Sequence, residues 1–226
     1  MIRVIILSQT ENPMDVLYLA ARTSRYVGDF DTQLKVKPKE SEKEKLVRNL
    51  VKWGHLSILE HVSFVFGIEG ISRVTSHQLV RHRLASYTQQ SQRYASMKDN
   101  NLIIPPSIQA NSEALEIMKD MEKKTMDAYR KLCALGIPME DARYLLPHGL
   151  DTRIVMTMNM RELWNTCSVR LCTLSQWEIL SLFEEVRKAV GTVSPFLASL
   201  LQAQCLHLGK CPEDTPCEVL ISAKKP

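Results

Sequence analysis

The sequence predicts an α+β fold, a single domain with a mixed or antiparallel sheet packed by several helices, and three observations lead there. Short runs of β-forming residues lie among longer helical patterns with no regular β-α-β alternation. Gly67-Ile68-Glu69-Gly70 is not G-x-G-x-x-G, so the phosphate loop of a doubly wound sheet is missing. The 226 residues are 45% hydrophobic, enough to build one large core. One domain is therefore expected over residues 1–226, with an irregular tail from about residue 207.

Taken in order, residues 3–7 read as a short buried strand. Asn12-Pro13 then supplies an N-cap followed by proline at the first helical position, opening a helix that runs through Arg22. Ser41-Glu42-Lys43-Glu44 has capping-box spacing, and Leu46, Leu50 and Trp53 form a helical stripe that stops at Gly54. Residues 62–68 are rich in β-formers and read as a strand. From residue 71 to residue 83, steps of about 100° per residue set Ile71, Val74, Gln78, Arg81 and His82 on one face. That helix would leave the core and deliver Gln78, Arg81 and His82 to a cleft, after which a loop carries Ser91 and Arg93. Leu102-Ile103-Ile104 before Pro105-Pro106 reads as a strand stopped by prolines.

A charged helix is expected over residues 112–135, ending at Gly136, and Pro138 opens another through Leu146. Residues 152–157 form a strand candidate. Asn159-Met160-Arg161-Glu162 has the form of an N-cap with Glu at the third helical position; Arg161 and Asn165 then share a face while Arg170 points away. Residues 176–190 are amphipathic and helical. The uncharged stretch at 189–209 is interrupted by Gly191, Pro195 and several polar residues, so it reads as two buried helices with a turn at Ser194-Pro195 and not as a membrane span.

Chemistry concentrates between residues 70 and 98, where Arg73, Arg81, Arg83, Arg93 and Lys98 occur with no Asp or Glu. Guanidinium forks match phosphate oxygens in pairs, so the segment suits a phosphorylated ligand. The net charge of +4 is too small for the basic stripe of a general nucleic-acid binder. A nucleic-acid module using residues 71–83 as a recognition helix is the competing reading, and a metal-dependent phosphohydrolase a third. Arg143 and Arg170 sit among apolar neighbours and need partners, either a ligand or an internal acid. The histidines match no metalloprotease or zinc-finger spacing, and Cys205, Cys211 and Cys217 are separated by five-residue gaps, so no metal is expected. None of the six cysteines lies in the Arg-rich segment; Cys167 is the one near other candidate residues, with buried packing as its expected role. The irregular cysteine spacing and the short N-terminal apolar run point to a reducing cytoplasm.

The run Arg81-His82-Arg83, seven residues, Ser91, one residue, Arg93-Tyr94 resembles the signature of the flavin-dependent thymidylate synthases. The likeness continues in Gly54-His55-Leu56-Ser57-Ile58-Leu59-Glu60-His61, in residues 159–170 and in Gln176-Trp177-Glu178. It implies reductive methylation of dUMP to dTMP with methylenetetrahydrofolate as carbon donor, FAD as redox carrier and NADPH as reductant. It also implies a homotetramer with shared sites and no nucleic-acid or membrane partner. By position, Ser57, Arg81, His82, Arg83, Gln89, Asn159, Arg161 and Asn165 would hold FAD, with His55 near the flavin and folate. Gln78, Arg81, Gln89, Gln90, Ser91, Gln92, Arg93 and Arg143 would hold dUMP, and Arg170 would be the catalytic arginine. Two positions depart from the family: Gln89 stands where some members have Glu, and Leu174 where some place a flavin-contacting His.

Overall fold

The computed structural model describes residues 1–214 and 217. Its sheet has four strands, β1 (Arg3–Gln9), β2 (Ser63–Ser72), β3 (Ala85–Gln89) and β4 (Asp151–Asn159), in the order β1-β2-β4-β3. The sheet is antiparallel. Thr10 N donates to Ser63 O at 3.0 Å while Arg3 pairs with Glu69 at 2.7 Å. Met160 N donates to Val62 O at 2.7 Å, and Arg73 N to Leu150 O at 3.1 Å. Gln90 N donates to Arg153 O at 2.9 Å. The helices are α1 (Pro13–Thr23), α2 (Phe30–Lys35), α3 (Glu40–Lys52), α4 (Arg73–Leu79), α5 (Pro106–Gln109), α6 (Ser112–Ala134), α7 (Met139–Ala142), α8 (Met160–Arg170), α9 (Trp177–Val193), α10 (Pro195–Leu200) and α11 (Gln204–Leu208). Two 3₁₀ turns cover Leu56–His61 and Arg143–Leu145. The expected α+β class is the observed one.

Contacts group the chain into two compact units. The first takes residues 1–3, 67–81 and 87–155. Its core joins Met97, Leu102, Met126, Tyr129, Ala142 and Leu150, with α5 and α7 packed on α6. The Tyr129 hydroxyl accepts from Met97 N at 3.4 Å, giving its buried polar end a partner. The second unit takes residues 4–66, 82–86 and 156–226. There α1 packs on α3 and on the 56–61 turn, while α8 packs on that turn and on α9. Leu17, Val47, Leu59, Leu163, Phe183 and Val186 are fully buried, and the Phe64 and Phe66 rings stack at 5.8 Å.

The local chemistry of several elements is as expected. Asn159 Oδ1 accepts from Glu162 N at 2.8 Å and fixes the start of α8. The carboxamide oxygen of Gln176 caps α9 in the same way, and Ser194-Pro195 separates α9 from α10. α6 stops before Gly136, which takes a φ of 82°.

Other elements differ. The strand at residues 3–7 is half exposed and not buried, because β1 is an edge of the sheet; Leu7 is 52% exposed. α3 begins two residues before the expected capping box: Glu42 Oε2 accepts from Lys39 N at 3.0 Å, and the buried residue is Val47, while Trp53 is exposed. The helix expected over 71–83 is the seven-residue α4. Ile71 and Ser72 belong to β2, the Ser72 hydroxyl caps the helix by accepting from Thr75 N, and the Tyr87 hydroxyl donates to Leu79 O at 2.9 Å. Arg81 and His82 therefore lie beyond the helix and not on it. The segment read as loop contains β3, a polar edge strand with no buried apolar face to announce it. Residues 102–104 make only a bridge from Leu102 to Leu150, since Glu122 Oε1 takes the Leu102 amide and two prolines follow. The helix expected from Pro138 through Leu146 breaks after Ala142 into a 3₁₀ turn carrying Arg143. The expected irregular tail lies largely outside the described residues, and α11 continues to Leu208.

Candidate functional site

In the second unit the site is built on α8. Asn159 spends its side chain on the cap, so Arg161 and Asn165 project from the first turns, and Arg170 closes the helix. Arg170 Nε donates to His82 Nε2 at 2.9 Å. An imidazole nitrogen that accepts carries no proton, so His82 is neutral with its hydrogen on Nδ1. Burial, and then the Arg170 charge, lower the His82 pKa to about 4. Burial also lowers the pKa of Arg170. The Phe183 ring meets His82 edge-on at 6.4 Å and fills one side of the pair. The pair is thus one guanidinium held by a neutral acceptor.

Around this pair Arg161 lies over the Trp164 ring at 5.8 Å, and Asn165 Nδ2 donates to the buried Glu162 at 3.4 Å. His55 and Ser57 stand exposed at the 56–61 turn, fixed from beneath by buried Leu56, Ile58 and Leu59; Arg83 is exposed as well. Cys167 is no nucleophile: it is fully buried on α8, and burial pushes its thiol up to about 12. Leu174 is 66% exposed.

In the first unit Arg73, His77, Gln92, Arg143, Tyr144, Leu146 and His148 line a cavity of about 350 Å³. Arg73 Nη2 donates to Gln90 O at 2.5 Å, while its Nε is buried with no partner among the described residues. Burial, and then the Arg143 charge, lower the Arg73 pKa. Arg143 is itself positioned by Nε donating to Glu140 O at 2.9 Å. Two guanidiniums facing one polar cavity attract an anion, and a phosphate would relieve their repulsion. Gln89 Nε2 donates to Thr152 Oγ1 at 3.3 Å, and Gln78 is half-buried on α4. Ser91 Oγ accepts from Arg93 N at 3.1 Å, a turn contact that leaves the serine in a binding loop.

The acid-free character of the Arg-rich segment holds only in sequence. α7 brings Glu140 to Arg93, which is ion-paired with it and also lies over the Tyr94 ring at 5.1 Å. Arg73, His77, Tyr144 and His148 were absent from the expected site. Arg73 carried a signal, being one of the five cations in the acid-free run, and His77 follows it at i+4 on the same face of α4. The His77 and His148 rings meet edge-on at 5.3 Å. His55, Ser57, His82, Arg83, Asn159, Arg161, Asn165 and Arg170 fall in the second unit; Gln78, Arg81, Gln89, Gln90, Ser91, Gln92, Arg93 and Arg143 fall in the first.

A family model described as thymidylate synthase complementing protein matches residues 5–196. A flavin-dependent thymidylate synthase of Pyrococcus furiosus is 40% identical over 222 residues, covering 94% of this chain and 90% of that protein. One from Geobacter sulfurreducens is 40% identical over 213 residues, covering 93% and 91%. Among solved structures, the UMP/dUMP methylase PolB from Streptomyces cacaoi, bound with 5-Br dUMP, superposes with a TM-score of 0.75 over 88% of this chain and 94% of that one. At 21% identity that likeness is one of fold.

Proposed function

The chain belongs to the thymidylate synthase complementing protein family, and from that premise we propose that it is a flavin-dependent thymidylate synthase. It converts dUMP to dTMP, taking the one-carbon unit from methylenetetrahydrofolate and reducing equivalents from NADPH, with FAD as the flavin. The balance is dUMP, methylenetetrahydrofolate, NADPH and one proton giving dTMP, tetrahydrofolate and NADP⁺: the uracil ring gains a methylene and a hydride and gives up its C5 proton, which with one solvent proton completes the two folate N–H bonds. The single observation that supports the mechanism is the Arg170 guanidinium at the end of α8, held at 2.9 Å by a neutral His82.

The residues of the second unit fit a flavin dinucleotide. Arg83 and Arg161 supply cationic forks, Asn165 an amide and Ser57 a hydroxyl, and the buried Glu162 carboxylate on the same helix is engaged by Asn165. FAD would be held by His55, Ser57, His82, Arg83, Asn159, Arg161 and Asn165, joined by Arg81 and Gln89. When bound, the flavin supplies the hydride chemistry. Gln78, Arg81, Gln89, Gln90, Ser91, Gln92, Arg93 and Arg143 hold dUMP, and the paired cations Arg73 and Arg143 make the phosphate end. For Arg93 to serve as a phosphate fork, the phosphate must take it from Glu140.

Arg170 orients the uracil ring and stabilises negative charge developing on its carbonyl and ring-nitrogen edge. His82 keeps the guanidinium plane in place without adding a second positive charge that would push it away. Activation by electrostatics is consistent with the cysteines, since the buried Cys167 thiol stays protonated. The working unit is a single domain that assembles as a homotetramer in the cytoplasm. No helix among the described residues is long and apolar enough to cross a membrane. The test is spectroscopic: purified protein reconstituted with FAD should show a bound-flavin spectrum that dUMP perturbs, and protein that takes up no flavin contradicts the reading.

A further inference from the structure

Four of the six cysteines surround one cavity of the second unit. Cys172 follows α8, Cys205 opens α11, and Cys211 and Cys217 come after Gly209; all four line a space of about 220 Å³. Cys205 is buried, with Cys211 and Leu171 packed against it. Cys172, Cys205 and Cys211 are thiols and not disulfides. Apolar packing accounts for one or two buried cysteines, not for four around one cavity, with Cys172 brought by the fold to Cys205, Cys211 and Cys217. In sequence the five-residue gaps match no zinc finger; the fold adds Cys172 as the fourth sulfur.

We propose that Cys172, Cys205, Cys211 and Cys217 form a tetrathiolate site for a thiophilic divalent cation such as Zn²⁺. Soft sulfur ligands select such metals over magnesium or calcium. Among the described residues no three His, Cys, Asp or Glu side chains already stand as a coordination sphere. Loading therefore draws the thiols in from the cavity wall to metal–sulfur distances of about 2.3 Å. Each thiol binds as a thiolate and gives one proton to solvent, so two positive charges and four thiols become a doubly negative complex and four free protons. The metal ties Cys211 and Cys217 to the end of α8, where Val169 and Leu171, the neighbours of Arg170, line the same cavity. Its role is structural and does not depend on the flavin reaction.

Full-length protein, purified under a thiol reductant and stripped with a chelator, should be titrated with Zn²⁺ alone and with Co²⁺ alone. One metal per chain should survive desalting, and the Co²⁺ form should show thiolate charge-transfer bands with the visible bands of a tetrahedral site. Replacing Cys205→Ser and Cys211→Ser together should lower the retained metal by tenfold or more, while Cys133→Ser, away from the cavity, retains it. Wild-type protein that keeps under a tenth of an equivalent, or a Co²⁺ spectrum without thiolate bands, shows an adventitious ion only and overturns the proposal. Full retention by the double variant overturns it as well. The wild-type Co²⁺ spectrum decides thiolate ligation by itself, so the test stands even if the double variant does not fold.

Discussion

Arg170 and His82 carry one positive charge between them, and the consequences can be measured at each residue. Replacing Arg170 with Ala should lower dTMP formation by at least about 100-fold, the scale for loss of one group that stabilises transition-state charge. Flavin content should be unchanged; wild-type turnover in that variant would remove Arg170 from the mechanism. His82 provides a pH test with a definite sign. Its folded pKa of about 4 lies below the unfolded value of about 6.5, so on acidification the unfolded chain takes up the proton first. Its contribution to stability is complete above about pH 6.5 and is lost as pH falls toward 4. Half-buried and partly screened, the group contributes about 1–2 kcal/mol. Urea unfolding at pH 7 and pH 5 combined with a His82→Gln variant, which cannot titrate, measures it; an equal pH dependence in both proteins contradicts the assignment. Arg73→Ala should raise the KM for dUMP about tenfold or more with flavin retained, because Arg73 faces the same cavity as Arg143. The sequence named Arg73 as a cation but gave no way to see that Arg143 faces it, or that Glu140 reaches Arg93. Those contacts join segments far apart in sequence, Arg73 with Arg143 and Arg93 with Glu140, and no local periodicity encodes them.

The elements that were legible are those whose ends are set by their own side chains. α8 and α9 begin where Asn159 and Gln176 cap them, and α6 ends where Gly136 adopts a left-handed conformation. Asn159→Ala should cost about 1 kcal/mol through the lost cap. Chemical denaturation reads it, and an unchanged midpoint would show that the cap is not what fixes α8. The illegible elements are set by distant partners: Tyr87 takes the Leu79 carbonyl and ends α4, and β3 exists because β4 offers an edge to pair with. Gly70 belongs to this second kind. At φ +74° a Cβ there would collide with the Met1 carbonyl oxygen, so Gly70→Ala should destabilise the fold by about 1–3 kcal/mol, and an unaltered melting temperature would contradict the close approach.

At the scale of the molecule, the candidate flavin residues and the candidate nucleotide residues fall largely in different units, with Arg81 and Gln89 shared between the two roles. Composition and charge argued against a general nucleic-acid binder but could not show this division, because the chain passes between the units several times. The central claim is that this chain methylates dUMP with a flavin, using Arg170. The most direct measurement is dTMP formation from dUMP by the purified protein with FAD, NADPH and methylenetetrahydrofolate, each omitted in turn and repeated with Arg170→Ala. The account predicts product only with the complete set and with Arg170 present. Product without flavin, or no product from well-folded, flavin-loaded wild-type protein, would contradict it.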